Sequence, residues 1–210
     1  MDFCDDCDRR LRNPDDICRS CHVVGPFYCG TYWPKDKFPS SYQNDPLTKQ
    51  LIQNKSGGVE NALKICEKMY DYLLQHESLI DDVEHIVPVP IEKYEGLYRK
   101  APLLARVLQA LIQKKTEKNI KSYYNVLIRV DKSNPYRRTS SKKDKLLASL
   151  LDYKISEDVK KDNSLIKEKN ILLIDDLFTD GITLEVCSDL LLQNGSKRVI
   201  IFCAGKAYRD

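Results

Sequence analysis

Several things are scarce in this chain, and each scarcity excludes a class of protein. No stretch approaches the roughly 18 consecutive apolar residues that a membrane-crossing helix needs, and the opening "MDFCDDCDRR" lacks the basic-then-apolar order of a secretory leader. A soluble, cytoplasmic chain with no membrane span is the expectation. Net charge is also small: 34 basic against 31 acidic residues leave +3. That is too mild to argue nucleic-acid binding by itself, so such a case would rest on local clusters. There is no internal repeat, no low-complexity tract and no Gly-Lys-Ser/Thr step of a Walker loop. What remains is a chain of 210 residues, enough for one domain with a real core and a small appendage.

Cysteine, by contrast, is plentiful. Eight cysteines in a reducing compartment point to metal ligands or buried thiols rather than a disulfide framework. Cys4, Cys7, Cys18 and Cys21 spell C-x2-C, ten residues, then C-x2-C. Each pair can bend into a knuckle, and four thiolates complete the closed tetrahedron of a structural Zn2+ site. A segment of residues 1–30 has too little apolar content to fold unaided, so the metal would supply its stability. Cys29 is left over and reads as a packed thiol.

Beyond this element the chain alternates between helical and extended patterns. Residues 26–56 are rich in aromatics, Pro and polar side chains and predict irregular structure packed by its own rings, with Trp33 in a small core. Val59, Leu63, Cys66, Met69, Tyr70, Leu73 and Leu74 recur at helical spacing. A short strand, Ile86 to Val89, ends at Pro88 and Pro90, and a second amphipathic helix follows with Pro102 near its start. Tyr123 to Val130 reads as a strand, Lys145 to Leu151 as a helix and Arg198 to Ala204 as a last buried strand. His76 and His85 stand alone and read as surface or packing residues. The alternation predicts an α/β fold, a mostly parallel sheet with helices on both faces. Three regions are expected: a zinc element at 1–30, an aromatic-rich hood and helix at 31–80, and the sheet core at 81–210.

The stretch that carries chemistry is "ILLIDDLFTDGITLEVCSDLLLQNG", Ile171 to Gly195. Ile171 to Ile174 predict a buried parallel strand whose exit carries two acids, Asp175 and Asp176. Leu184, Cys187, Leu190 and Leu191 predict a helix that Gly195 stops. Strand, loop and helix in that order place a helix N-terminus at the carboxyl end of a sheet, where anions bind. Thr179, Gly181 and Thr183 suit a phosphate: Gly permits close backbone approach, and two hydroxyls can donate.

The thirteen residues "ILLIDDLFTDGIT" resemble the phosphoribosyl-pyrophosphate (PRPP) motif of type I phosphoribosyltransferases. With the four-Cys element and "HIVPVPIEKYEGLYRKAPLLARVL", the whole chain is similar to the ComF family of competence-associated proteins of that fold. The resemblance implies a type I phosphoribosyltransferase fold with an N-terminal zinc knuckle and a hood. It implies that Asp175 and Asp176 hold the ribose hydroxyls and stabilise positive charge on the ring as the C1 bond breaks. Thr179, Asp180, Gly181, Ile182 and Thr183 would cradle the 5′-phosphate, and the turn at Ile91, Glu92 and Lys93 would lie against pyrophosphate. Mg2+ would bridge substrate oxygens. Arg137, Arg138, Lys142 and Lys143 would close as a lid.

Two positions depart from the family pattern. Asp180 stands where a Thr or Ser is usual, and a carboxylate beside a phosphate must point away or pair with a base. Glu95, Gly96, Leu97 and Tyr98 replace Arg-Gly-Phe-Asn. No general base stands out, and the acceptor is unassigned. An alternative of another class is a nucleic-acid-handling accessory protein, working with protein partners of a competence or defence system. It would meet single-stranded DNA through the basic stretch Arg137 to Lys145, with Tyr136 for stacking.

Overall fold

The two most apolar runs of the sequence lie side by side at the centre of a parallel sheet. The structure is a computed structural model and describes residues 22–54, 58–91, 100–130 and 141–208, apart from the side chains of Asn54 and Lys142. The element order is β1 (Val23–Tyr28), β2 (Thr31–Tyr32), α1 (Pro39–Asn44), α2 (Pro46–Asn54), α3 (Val59–Gln75), β3 (His85–Pro88), α4 (Lys100–Lys115), β4 (Lys121–Ser122), β5 (Leu127–Arg129), α5 (Lys142–Asp152), β6 (Tyr153–Ile155), α6 (Glu157–Lys161), β7 (Asn170–Phe178), α7 (Ile182–Gln193) and β8 (Arg198–Ala207). The main sheet runs β1-β8-β7-β3-β4, with β2 also on β8, and its pairs are parallel. β5 and β6 form a separate antiparallel ribbon.

Alternation along β7 divides the core in two. Leu172 and Ile174 face one way, into a cluster with Met69 and Leu73 of α3 and Leu104 and Leu108 of α4. Ile171 and Leu173 face the other way, with Cys187 and Leu191 of α7 and Ile155 of β6. A strand covered on both faces reads as a continuous apolar run. The chain is therefore α/β, a mostly parallel sheet flanked by helices.

Four expectations need correction. Residues 26–56 are not irregular, because β1 and β2 join the edge of β8 and two helices follow. Those helices begin at Pro39 and Pro46, the first-turn position proline favours. The α2 start is further held by Asp45 Oδ1, which accepts from Thr48 N at 2.6 Å. Sheet membership thus extends into the stretch assigned to the appendage and hood.

On α3 the buried stripe is Ala62, Ile65, Cys66, Met69, Tyr70 and Leu73, whereas Val59, Leu63 and Leu74 are 62%, 40% and 47% exposed. Leu63 and Leu74 each lie one residue past a buried position, a rotation of about 100° away from the sheet. Tyr123 to Val130 is not one strand: Lys121–Ser122 pairs with β3, and Leu127–Arg129 turns away to pair with β6. Finally, β7 continues four residues past Ile174, so both acids lie within it and the loop begins at Thr179.

The connections fix where a ligand can bind. From β3 the chain crosses through α4 to β4 on one side; from β7 it crosses through α7 to β8 on the other. α4 and α7 lie on opposite faces of the sheet. The order of the strands therefore reverses between β3 and β7, and the crevice outside their carboxyl ends is the topological switch point.

Candidate functional site

Asp175 and Asp176 stand at that switch point. Backbone pairing holds β3 against them: Val89 N donates to Ile174 O at 2.8 Å, so the chain leaving β3 through Pro90 and Ile91 passes beside the acids. Of the three residues expected in the pyrophosphate turn, half-buried Ile91 is there, and Glu92 and Lys93 lie outside the described residues. Asp175 Oδ1 accepts from Asp176 N at 2.8 Å, which orients the first carboxylate. Burial, and then the charge of Asp176, push the Asp175 carboxyl well above the usual carboxylate range, while the Asp176 N–H and the ammonium of Lys100 pull the other way. Asp175 lies toward the α7 face, where it and burial together raise the Cys187 thiol. The Tyr32 phenol of β2 is raised by burial, then by Tyr42, Asp36 and Asp176.

The loop itself is short. Thr179 is exposed, Asp180 half-buried, and Gly181 takes the left-handed conformation at φ +77° as the N-cap of α7. Glu185 N donates to Gly181 O at 2.8 Å, closing the first turn. Asp180 reaches both ways: Oδ1 accepts from Ile182 N at 3.4 Å, and Oδ2 pairs with Lys145 Nζ of α5 at 3.3 Å. The Asp180 carboxylate is thus paired with a base.

Thr183 lines a cavity of ≈ 310 Å³ together with Arg129, Lys145, Ser149, Tyr153 and Asp180. Burial pushes the Tyr153 phenol up to about 12 against the opposing charge of Arg129. The Arg129 guanidinium carbon lies 5.7 Å from the Tyr153 ring centroid. Two cations, Arg129 and Lys145, three hydroxyls and the N-terminus of α7 surround this small cavity, together with two carboxylates, Asp152 and the Lys145-paired Asp180; the hydroxyls and the helix N-terminus are groups that can bind an anion. A second cavity, ≈ 600 Å³, lies on the other side of Asp180 and Thr179.

No protein-family model matches the chain, and no curated protein matches it. The site is read from its own geometry.

Sequence reasoning placed Asp175, Asp176, Thr179, Asp180, Gly181, Ile182 and Thr183 in one segment, and the structure keeps them together at the switch point. Of the expected lid, Arg137 and Arg138 lie outside the described residues, as does Tyr136. Lys143 is exposed in the first turn of α5. Cys4, Cys7, Cys18 and Cys21 also lie outside the described residues. Cys29 packs against the core, and burial pushes its thiol up to about 12. Among the described residues no cluster of three or more His, Cys, Asp or Glu side chains could hold a metal ion. Among them, too, no helix is long and apolar enough to cross a membrane.

Sequence reasoning missed Arg129, Lys145 and Tyr153 as lining residues. Lys145 had a signal, since it ends the basic stretch one helical turn after its Ser141 cap. Arg129 and Tyr153 had none, because only the pairing of β5 with β6 brings them to the loop.

Proposed function

We propose that this chain is a ComF-type protein of the type I phosphoribosyltransferase fold that binds PRPP with Mg2+ and transfers its phosphoribosyl group to a nitrogen acceptor. The observation that carries the reading is the meeting, at one topological switch point, of paired acids, a glycine-capped helix N-terminus and the exit of β3. The cavity at Thr183, Lys145 and Arg129 would take the 5′-phosphate. Asp175 and Asp176 would accept from the ribose hydroxyls. A nitrogen lone pair would attack C1 as the C1–O bond breaks, pyrophosphate leaving with the bonding electrons and the nitrogen losing a proton to solvent. Position and electrostatics supply the catalysis. Mg2+ would be held mainly by phosphate and ribose oxygens and water, with Asp175 and Asp176 the carboxylates at the switch point. Zn2+ would sit on Cys4, Cys7, Cys18 and Cys21.

Calorimetric titration with PRPP tests this. Heat should appear only with Mg2+, and Asp175→Asn/Asp176→Asn should weaken binding about 100-fold or more, since two charge-assisted hydrogen-bond acceptors are lost at about 1.5–3 kcal/mol each. Absence of Mg2+-dependent heat, together with salt-sensitive binding of single-stranded oligonucleotides, would overturn it in favour of the DNA-handling alternative.

A further inference from the structure

The ≈ 600 Å³ cavity beside the loop is lined by Tyr28, Thr31, Phe178, Thr179, Lys206 and Tyr208, among others. Its volume falls in the range of small-molecule sites, roughly 300–1,000 Å³. Three of these residues form a row across the sheet: Thr31 of β2 and Phe178 of β7 are both register partners of Lys206 on β8. The aromatic walls are held in place. Tyr208 stacks on Trp33 with centroids 4.7 Å apart and meets Phe38 edge-on at 4.9 Å. The Phe178 ring lies against the Gly181 turn, its edge 2.9 Å from where a Cβ would stand.

The polar contribution is one-sided. Lys206 makes no ion pair among the described residues; its ammonium sits 5.1 Å from the Tyr28 ring centroid and donates to Tyr28 Oη at 3.4 Å. The carboxylate on the cavity wall, Asp180, is already engaged by Lys145. The cavity thus offers flat apolar surfaces, an ammonium and the hydroxyls of Tyr28, Thr31 and Thr179. Rings stack on such surfaces, and an acid group gains a charge-assisted bond from such an ammonium.

We propose that this cavity binds the acceptor, and that the acceptor is a flat nitrogen heterocycle bearing a carboxylate, met by Lys206. As a substrate assignment this rests on the phosphoribosyl-transfer reading, because Asp180 lines both this cavity and the one at Thr183 and one ligand pair would span the two. The chain's single tryptophan, Trp33, stacks on a residue of the cavity wall and reports its occupancy.

The test titrates the full chain with orotate against uracil, and with nicotinate against nicotinamide, by calorimetry and Trp33 emission, with and without PRPP and Mg2+. Binding of a carboxylated ring at least tenfold tighter than its neutral counterpart, with a change in Trp33 emission, is expected. Lys206→Met, which removes an exposed side chain, should abolish the preference while the thermal midpoint stays within a degree or two. Equal binding of charged and neutral rings, a preference unchanged in Lys206→Met, or no binding of any ring while PRPP binds would overturn the proposal. Lys206-dependent ring binding without any PRPP heat would keep the ring site and sink the transfer reading. Silence toward every probe would sink both.

Discussion

The turn that caps α7 can be tested by adding one methyl group. Gly181 and Gly195 bracket the helix, and both hold positive φ, +77° and +98°. An alanine at either position meets the left-handed penalty of roughly 1–2 kcal/mol, partly offset by about 0.4–1 kcal/mol from a less free unfolded chain. The surroundings differ. At Gly195 the nearest atom to a new Cβ is Lys167 Cγ at 3.6 Å, an ordinary contact. At Gly181 the Phe178 ring stands at 2.9 and 3.2 Å, so the ring must move, which adds about 1–3 kcal/mol of overpacking. Gly195→Ala should therefore cost about 1 kcal/mol and Gly181→Ala about 2–4 kcal/mol. For a chain of this length each kcal/mol lowers the melting temperature by about 2–4 °C. Scanning calorimetry on both variants measures the difference, and because Phe178 lines the proposed acceptor cavity, Gly181→Ala should also weaken ring binding. Equal losses in the two variants would refute the argument, since the strain they share would then be the whole effect.

Asp175 is raised in the folded protein, so its penalty is absent below its unfolded pKa of about 3.9 and grows as pH rises through the folded value. Asp175→Asn should accordingly be more stable than the parent at pH 7 and not at pH 3, as urea midpoints at the two pH values will show. Lys145→Met breaks a pair whose side chains are 38% and 28% exposed, which is worth under about 1 kcal/mol of stability. It should nonetheless weaken PRPP about tenfold or more by leaving Asp180 unpaired beside the phosphate, and Asp180→Asn in the same chain should restore most of the loss in the calorimeter. One zinc per chain, lost in Cys4→Ser or Cys18→Ser, is the expected result of metal analysis.

The sequence made the centre of the molecule legible and its periphery not. Ile171 to Ile174 and Val199 to Phe202 are buried on both faces, so composition alone identified them as strands. The acids and the glycine turn were equally plain, because a strand, a loop and a helix in series are a local pattern. By contrast, Thr31–Tyr32 is a strand only because β8 runs past it, and Leu127–Arg129 only because Tyr153–Ile155 returns to meet it. Pairings across 20 or more residues leave little local trace. The cavity walls belong to this second class: Tyr28 and Thr31 meet Phe178, Lys206 and Tyr208, far along the chain, through sheet register.

Asp180 shows how a local departure can be absorbed by tertiary structure. Placed in the turn before α7, its carboxylate accepts from Ile182 N, and a free anion there would compete with a phosphate for the same helix N-terminus. Lys145 removes much of that competition by holding Oδ2 from the side of α5. The cost of the acid and the benefit of the lysine are therefore one coupled quantity, and α5 becomes part of the proposed phosphate site although the sequence separates Lys145 from Asp180 by 35 residues. Asp180 also lines both the cavity at Thr183 and the aromatic one, so a change that frees it alters both at once. That coupling makes the double substitution of Lys145 and Asp180 more informative than either single one: additive losses would mean that the two side chains act independently, and restoration would mean that the ion pair is what permits an acid at this turn.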